Sequence, residues 1–162
     1  MRIAGFLLLT GVLMSMCSCR NINPYHNQPE FSEFVGVSSD GWDSRDAICF
    51  DPPGLDSIGA PVDISLCVRF SGRRVIKPLR VAVECDDEHG VQFSDTITLP
   101  LFNADGTPLG RGRYGVYEVS DTLLRGFRPG FGLGVSVTPL DRPDATRGII
   151  NVGLIATRSV EF

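Results

Sequence analysis

A cysteine at the end of an apolar N-terminal segment offers the clearest chemistry in this chain. Arg2 precedes an uncharged, mostly apolar run over residues 3–16, and Ser18 and Cys19 follow. A positive start, a short apolar stretch and a small residue before a cysteine are typical of a lipobox, whose thiol is acylated and becomes the new N-terminus. The run is shorter than the roughly 20 residues of a membrane span. The pattern predicts a signal peptide over residues 1–18 and a lipid anchor on Cys19.

Two alternatives compete with this interpretation. Cys17 could be the acylated residue, but Met16 precedes it, and signal peptidases favour a small residue at that position. The segment could also be an ordinary cleaved signal in which both cysteines are incidental. Ser18 favours Cys19 as the lipidation site, and the lipid would attach the protein to a membrane without a spanning helix.

Three further cysteines follow, at positions 49, 67 and 85. An odd number cannot pair completely within one chain, and no CxxC or Cys/His spacing typical of zinc is present. Three partly buried thiols are the favoured interpretation. One disulfide with one free thiol, or a metal site, stays open as an alternative.

Other groups that could do chemistry are scattered. His26 and His89 are isolated, and the acidic run 86–88 is better explained as a solvated turn than as a cation site. Oxygens at 103, 105 and 107 have the spacing of a calcium loop, but no later bidentate Glu completes it, which favours a hairpin turn. No nucleophile elbow, HExxH motif or phosphate loop occurs. We therefore expect neither an enzyme nor a cofactor.

Charge and composition limit the classes to which the protein can belong. The chain of 162 residues has a formal net charge of −4, which gives no reason to expect nucleic-acid binding. Residues 19–30 are polar, contain two prolines and read as a flexible tether. Residues 31–162 then have the length of a single domain.

Period-two alternation dominates that domain. In the segment 62–70 an apolar row alternates with a polar row that contains Asp63, Ser65 and Cys67. Such alternation is typical of an antiparallel strand with one buried face. We expect the row Ile64, Leu66 and Val68 to be buried and to face Val81, Val83 and Cys85 on a neighbouring strand.

About eight such strands, separated by turns rich in glycine, proline and aspartate, can be traced along the domain. They predict an all-β fold: an antiparallel β-sandwich with jelly-roll or Greek-key connections. The predicted strands are 31–37, 47–50, 62–70, 79–85, 91–99, 114–119, 131–137 and 149–157, while 120–125 could be strand or helical turn.

The stretch Asn103–Glu118 is longer than the two to five residues or so that a simple connection needs. It carries Arg111, Arg113 and Tyr114, and arginine and tyrosine are enriched at protein-binding hot spots. One interpretation makes these three residues a partner-binding surface. The other makes the stretch a series of structural turns with solvated arginines and packed tyrosines.

The chain resembles the GldH family of gliding-motility lipoproteins from the Bacteroidota over about residues 40–157. The resemblance rests on Gly41-Trp42-Asp43, the strand VDISLCVRF, the segment DTITLPLFNADGTPLGRGRYGVYE at 95–118 and the late pattern around Gly148-Ile149. Tyr114-Gly115 stand where the family pattern has Gly-Asp. The resemblance implies an outer-membrane lipoprotein with an accessory role in gliding motility or its associated secretion machinery, and it carries over no catalytic residues.

Further expectations follow from that resemblance. The expected partners are the membrane, through the N-terminal lipid, and other envelope proteins. Arg20-Asn21-Ile22 after the anchor, rather than acidic residues, favours the periplasmic face. The O-glycosylation pattern of the phylum resembles Asp-Ser/Thr-aliphatic, which fits three positions, Ser57, Thr96 and Thr122.

Carbohydrate binding is the alternative function to protein binding. A carbohydrate-binding module of an envelope glycan system would present aromatic rings for stacking on sugars. The available rings are those of Trp42, Tyr114 and Tyr117, and a Trp in a Gly-Trp corner is more often a core residue.

Overall fold

Nine antiparallel strands form two facing sheets in the computed structural model, which describes residues 28–73 and 77–160. The signal segment, Cys19 and nearly all of the tether lie outside the described residues. The strands are β1 Phe31–Gly36, β2 Ile48–Phe50, β3 Val62–Ser71, β4 Leu79–Asp87, β5 Gly90–Leu99, β6 Arg111–Arg113, β7 Val116–Phe127, β8 Gly134–Pro139 and β9 Ile149–Arg158. A 3₁₀ helix (Leu55–Ile58) and one short α-helix, α1 (Pro143–Thr146), complete the described elements.

The strand order is that of a jelly roll. One sheet has the order β1-β9-β3-β7-β6 and the other β2-β8-β4-β5. The first strand pairs with the last, β2 with β8, β3 with β7 and β4 with β5, so that successive pairs alternate between the sheets. This nesting is a long hairpin wrapped into a sandwich. The strand order confirms the all-β prediction. β6 is an additional strand, and its three residues are too few to show an alternating pattern.

The two predicted apolar rows are both buried, but not on neighbouring strands. Leu66 and Val83, for example, are 0% and 1% exposed. β3 is hydrogen-bonded to β7 and β9, whereas β4 lies in the opposite sheet. The rows therefore belong to opposing sheets of one shared core.

The polar row of β3 is less exposed than the alternation indicated. The carboxylate of Asp63 accepts hydrogen bonds from the Gly126 N–H and from the Ser159 hydroxyl. Cys67 is 2% exposed, although it lies in the outward row. Its strand neighbours are Gly153, which has no side chain, and Ser120.

The three cysteines of the domain are free thiols, Cys49 exposed and the others buried. Burial raises the pKa of Cys67 and Cys85 to about 11.

The chain enters the sandwich at one end, and the β6–β7 turn lies at the other. Glu30 immediately precedes β1, and its N–H donates to the Ala156 carbonyl of β9. Ala156 also lies opposite Ile64, near the start of β3, so the segment before the domain leaves from the end where β3 begins. We call this the tether end; it includes the loops 51–61, 86–90 and 128–133. The β6–β7 turn lies where β3 ends, because the Gly72 N–H donates to the Gly115 carbonyl. We call this the hairpin end. A strand of ten residues separates the two by about 30 Å.

Candidate functional site

The hairpin end is built on a two-residue turn. β6 and β7 pair with Arg111 opposite Glu118 and Arg113 opposite Val116, which leaves Tyr114 and Gly115 as the turn residues. Their φ angles are 55° and 81°. Positive φ at both central positions is the type I′ geometry, which favours Asn-Gly because the Cβ of most residues clashes with the backbone there, whereas glycine has no Cβ and asparagine tolerates the conformation. Tyr114 thus occupies a strained position, at a cost of about 1–2 kcal/mol.

The ring of Tyr114 packs against little of the fold. It is 91% exposed. The guanidinium carbon of Arg113 lies 5.7 Å from the ring centroid, at the outer limit of a cation–π contact. The strain at Tyr114 is therefore not offset by burial of the side chain.

A second tyrosine anchors the hairpin to the core. Tyr117 packs on the buried ring of Phe70, with centroids 6.0 Å apart. Its ring lies against the backbones of Gly72 and Gly112; a Cβ at either glycine would come within 2.4 Å of it. Any larger residue at these positions would force the ring away, so the two glycines and Tyr117 fix where β6 lies.

Arginines surround the tip without acidic partners. Glu118 forms a salt bridge with Arg69, with 2.7 Å between Arg69 Nε and Glu118 Oε2. The guanidinium carbon of Arg69 lies 3.7 Å from the centroid of the Phe34 ring. Within the described part of the chain, Arg73, Arg111 and Arg113 form no salt bridge. An open cleft of about 500 Å³ lies beside them, lined by Gly110, Arg111, Glu118, Val119 and Ser120. The site can offer cations and an aromatic ring to an anionic, partly apolar surface.

The structure thus brings together the three residues predicted as a partner surface, Arg111, Arg113 and Tyr114. Of the three aromatic residues proposed for sugar stacking, Tyr114 alone presents an exposed ring. Trp42 is 3% exposed and donates from Nε1 to the Asp46 carbonyl, while Tyr117 packs on the core. Arg73 had no sequence signal, because only the turn geometry places it beside Gly115.

The predicted modification sites differ in accessibility. Ser57 is exposed in the 3₁₀ helix, where its hydroxyl donates to the Gly54 carbonyl, and Thr96 is exposed on the edge strand β5. Thr122 is half-buried in β7 and accepts a hydrogen bond from Ser65. Cys19 lies outside the described residues.

The acidic segments 103–107 and 86–88 differ in how their carboxylates are buried and hydrogen-bonded. At 103–107 the turn is self-contained, because Asp105 accepts from both the N–H and the hydroxyl of Thr107, which agrees with the hairpin-turn interpretation. In the run 86–88 the solvated-turn interpretation is wrong for Asp87. Its side chain is 2% exposed and accepts from the N–H groups of His89 and Gly130. Over residues 28–73 and 77–160, no three His, Cys, Asp or Glu side chains form a group that could hold a metal ion.

The fold defines the chain as a single jelly-roll domain that follows an N-terminal segment ending in a lipobox-like sequence. Residues 30–154 match the family model of the GldH lipoprotein, and the chain belongs to that family. Membership implies a lipid-anchored protein of the cell envelope. No curated protein and no solved structure matches the chain significantly. Among the described residues, no helix has the length and apolar character needed to span a membrane.

Proposed function

We propose that this protein is an accessory component of the cell envelope that binds other envelope proteins through its hairpin end. Family membership supports a role in gliding motility or in the associated secretion machinery. The observation that carries the proposal is Tyr114, a strained residue whose ring is almost wholly exposed. Strained residues cluster at functional sites, so strain that packing does not offset supports a functional role for Tyr114.

The position of the hairpin suits this role. The chain before Glu30 leaves from the tether end, so an anchor on Cys19 holds that end toward the lipid. The hairpin end then faces away from the attached side, where Arg111, Arg113 and Tyr114 can meet a partner. We place the anchor in the outer membrane with the domain in the periplasm, because Arg20 rather than an acidic run follows Cys19.

Co-purification from membranes of the native host tests the proposal. The double variant Arg111→Ala with Arg113→Ala removes two exposed cations that form no salt bridge within the described part of the chain. Its melting temperature should stay within about 2 °C of the parent, because such surface changes rarely exceed about 0.5 kcal/mol. Recovery of partner proteins should fall at least about fivefold, since arginine is a frequent hot-spot residue.

The matched control is Arg45→Ala, which removes an exposed arginine whose pairing with Asp43 is local. It should recover the same partners as the parent. If the double variant folds normally and recovers the same proteins in the same amounts, the hairpin end is structural and the proposed binding surface is wrong. Capture of glycans instead of proteins would favour carbohydrate binding, for which Tyr114 is the one exposed ring of the three considered.

A further inference from the structure

A second exposed aromatic ring lies at the opposite end of the sandwich, on a loop that is held firmly. Phe131 is 69% exposed. Its N–H donates to the Glu88 carboxylate and its carbonyl accepts from the Glu88 N–H, at 3.1 and 3.0 Å. The neighbouring Gly130 N–H donates to the buried Asp87 carboxylate at 2.8 Å. The turn between β4 and β5 therefore clamps the backbone on which the exposed ring stands.

The close approach of this loop depends on the absence of a side chain at 130. A Cβ at Gly130 would lie 2.7 Å from both Asp87 Oδ2 and His89 Nδ1. The loop thus presents a large apolar side chain from a backbone whose hydrogen bonds are already made. The backbone beneath the ring therefore has little freedom to lose on binding, which lowers the cost of using Phe131 as an anchor.

A cleft of about 430 Å³ lies between this loop and the one after β2. Pro52, Pro53 and Leu133 give it apolar walls, and Asp51 and Asp56 add carboxylates. Asp86 stands close by, because a Cβ at Gly134 would lie 3.2 Å from Asp86 Oδ1 and 3.8 Å from Asp51 Oδ1.

These carboxylates are not neutralised by the described part of the protein. Asp51, Asp56 and Asp86 form no salt bridge there. The nearby Arg128 points its guanidinium at the Gly59 carbonyl instead. Two carboxylates near Gly134 that no described residue neutralises favour a cation, and the cleft beside them has room for more than an ion.

We propose that this cleft binds an arginine-bearing, extended segment of a partner protein. A guanidinium is planar, stacks on aromatic rings and pairs with carboxylates, so Phe131, Asp51 and Asp86 match its chemistry. The alkyl stem of the arginine and an apolar neighbour would pack on Pro53 and Leu133. The site goes beyond the proposed hairpin surface, which lies at the other end and has the opposite charge.

Fluorescence anisotropy with the full mature chain tests this assignment. The probe is a short labelled peptide of alternating arginine and leucine; its counterpart carries neutral citrulline in place of arginine. The arginine peptide should bind at least about tenfold more tightly than the citrulline peptide, because charged pairs provide the discrimination. Asp51→Asn with Asp86→Asn should remove most of that difference, and Phe131→Ala should weaken both peptides at least about fivefold.

The matched control is Tyr114→Ala, which removes an exposed aromatic ring from the hairpin end. It should bind the arginine peptide as the parent does, whatever it does in the co-purification experiment, so the two proposals can fail separately. Equal affinity for both peptides, or unchanged affinity in the double Asp variant, would overturn the assignment. Calcium binding that needs the same two carboxylates, with no peptide binding, would also overturn it.

Discussion

Among the residues that the structure describes, each end of the sandwich exposes one large aromatic ring, and the two rings are positioned by different means. At the hairpin end, Tyr114 stands on a two-residue turn whose geometry is set by adjacent residues and carries backbone strain. At the tether end, Phe131 stands on a loop fixed by hydrogen bonds to Asp87 and Glu88, which lie 43 residues earlier in the chain.

The charges around the two rings also differ in sign. The arginines around Tyr114 and the carboxylates that border the cleft beside Phe131 form no salt bridge with any other residue that the structure describes. A strained local turn and long-range hydrogen bonds are thus two ways in which this fold positions the backbone beneath an exposed ring. The two arrangements should respond to different substitutions, and that difference can be measured.

The largest effect should come from the core that both ends share. Leu66 is fully buried in the middle of β3, and Leu66→Ala should lower the free energy of unfolding by about 2–5 kcal/mol, the usual range for a buried leucine. Urea denaturation measures this value, and amide exchange should show both ends losing protection together. The control Val91→Ala, at a position 60% exposed, should cost under about 0.5 kcal/mol. Loss of protection at one end alone would mean that the ends do not share a core.

A smaller and local effect should follow from Asp87→Asn. Removing the charge that accepts from the N–H groups of His89 and Gly130 should open the loop. Amide exchange at Gly130 and Phe131 should accelerate by roughly tenfold, while the amides of β6 stay protected as before. Asp95→Asn, an exposed carboxylate on β5, is the control and should change neither end.

The same clamp should weaken in acid. Burial raises the pKa of Asp87, but the hydrogen bonds from His89 and Gly130 and the charge of His89 lower it more, so that it lies below its ordinary value of 3.8. A carboxyl with a lowered pKa stabilises the fold above its unfolded pKa, and this contribution is lost as the pH falls through the folded value. Protection at Gly130 should therefore fall below about pH 4 in the parent but not in Asp87→Asn. Equal pH dependence in both proteins would contradict a role for Asp87.

The sequence predicted what is local and missed what is not. Alternation located most of the strands, because period two follows directly from one buried face. It failed for β6, whose Arg-Gly-Arg has no apolar residue, and it divided the long β7 at Ser120-Asp121, where the inward row carries a charge. The residues of the hairpin tip could be identified because they are adjacent. The clamp on Phe131 could not, since it depends on loops that only the jelly-roll connections bring together.

The smallest expected effect is also the one that separates strain from contact most clearly. Asn adopts positive φ far more readily than Tyr, so Tyr114→Asn should raise the free energy of unfolding by about 0.5–1 kcal/mol. Tyr114→Ala removes the same exposed ring, but alanine lacks the short polar side chain through which asparagine tolerates positive φ, so it should gain little. The difference between the two variants in urea denaturation therefore measures the cost of positive φ at this position. Both variants should recover fewer partner proteins than the parent, because both lack the ring. A more stable hairpin that binds less would mean that Tyr114 is retained for binding at the expense of the fold, whereas equal stability of the two variants would contradict a cost of positive φ at position 114.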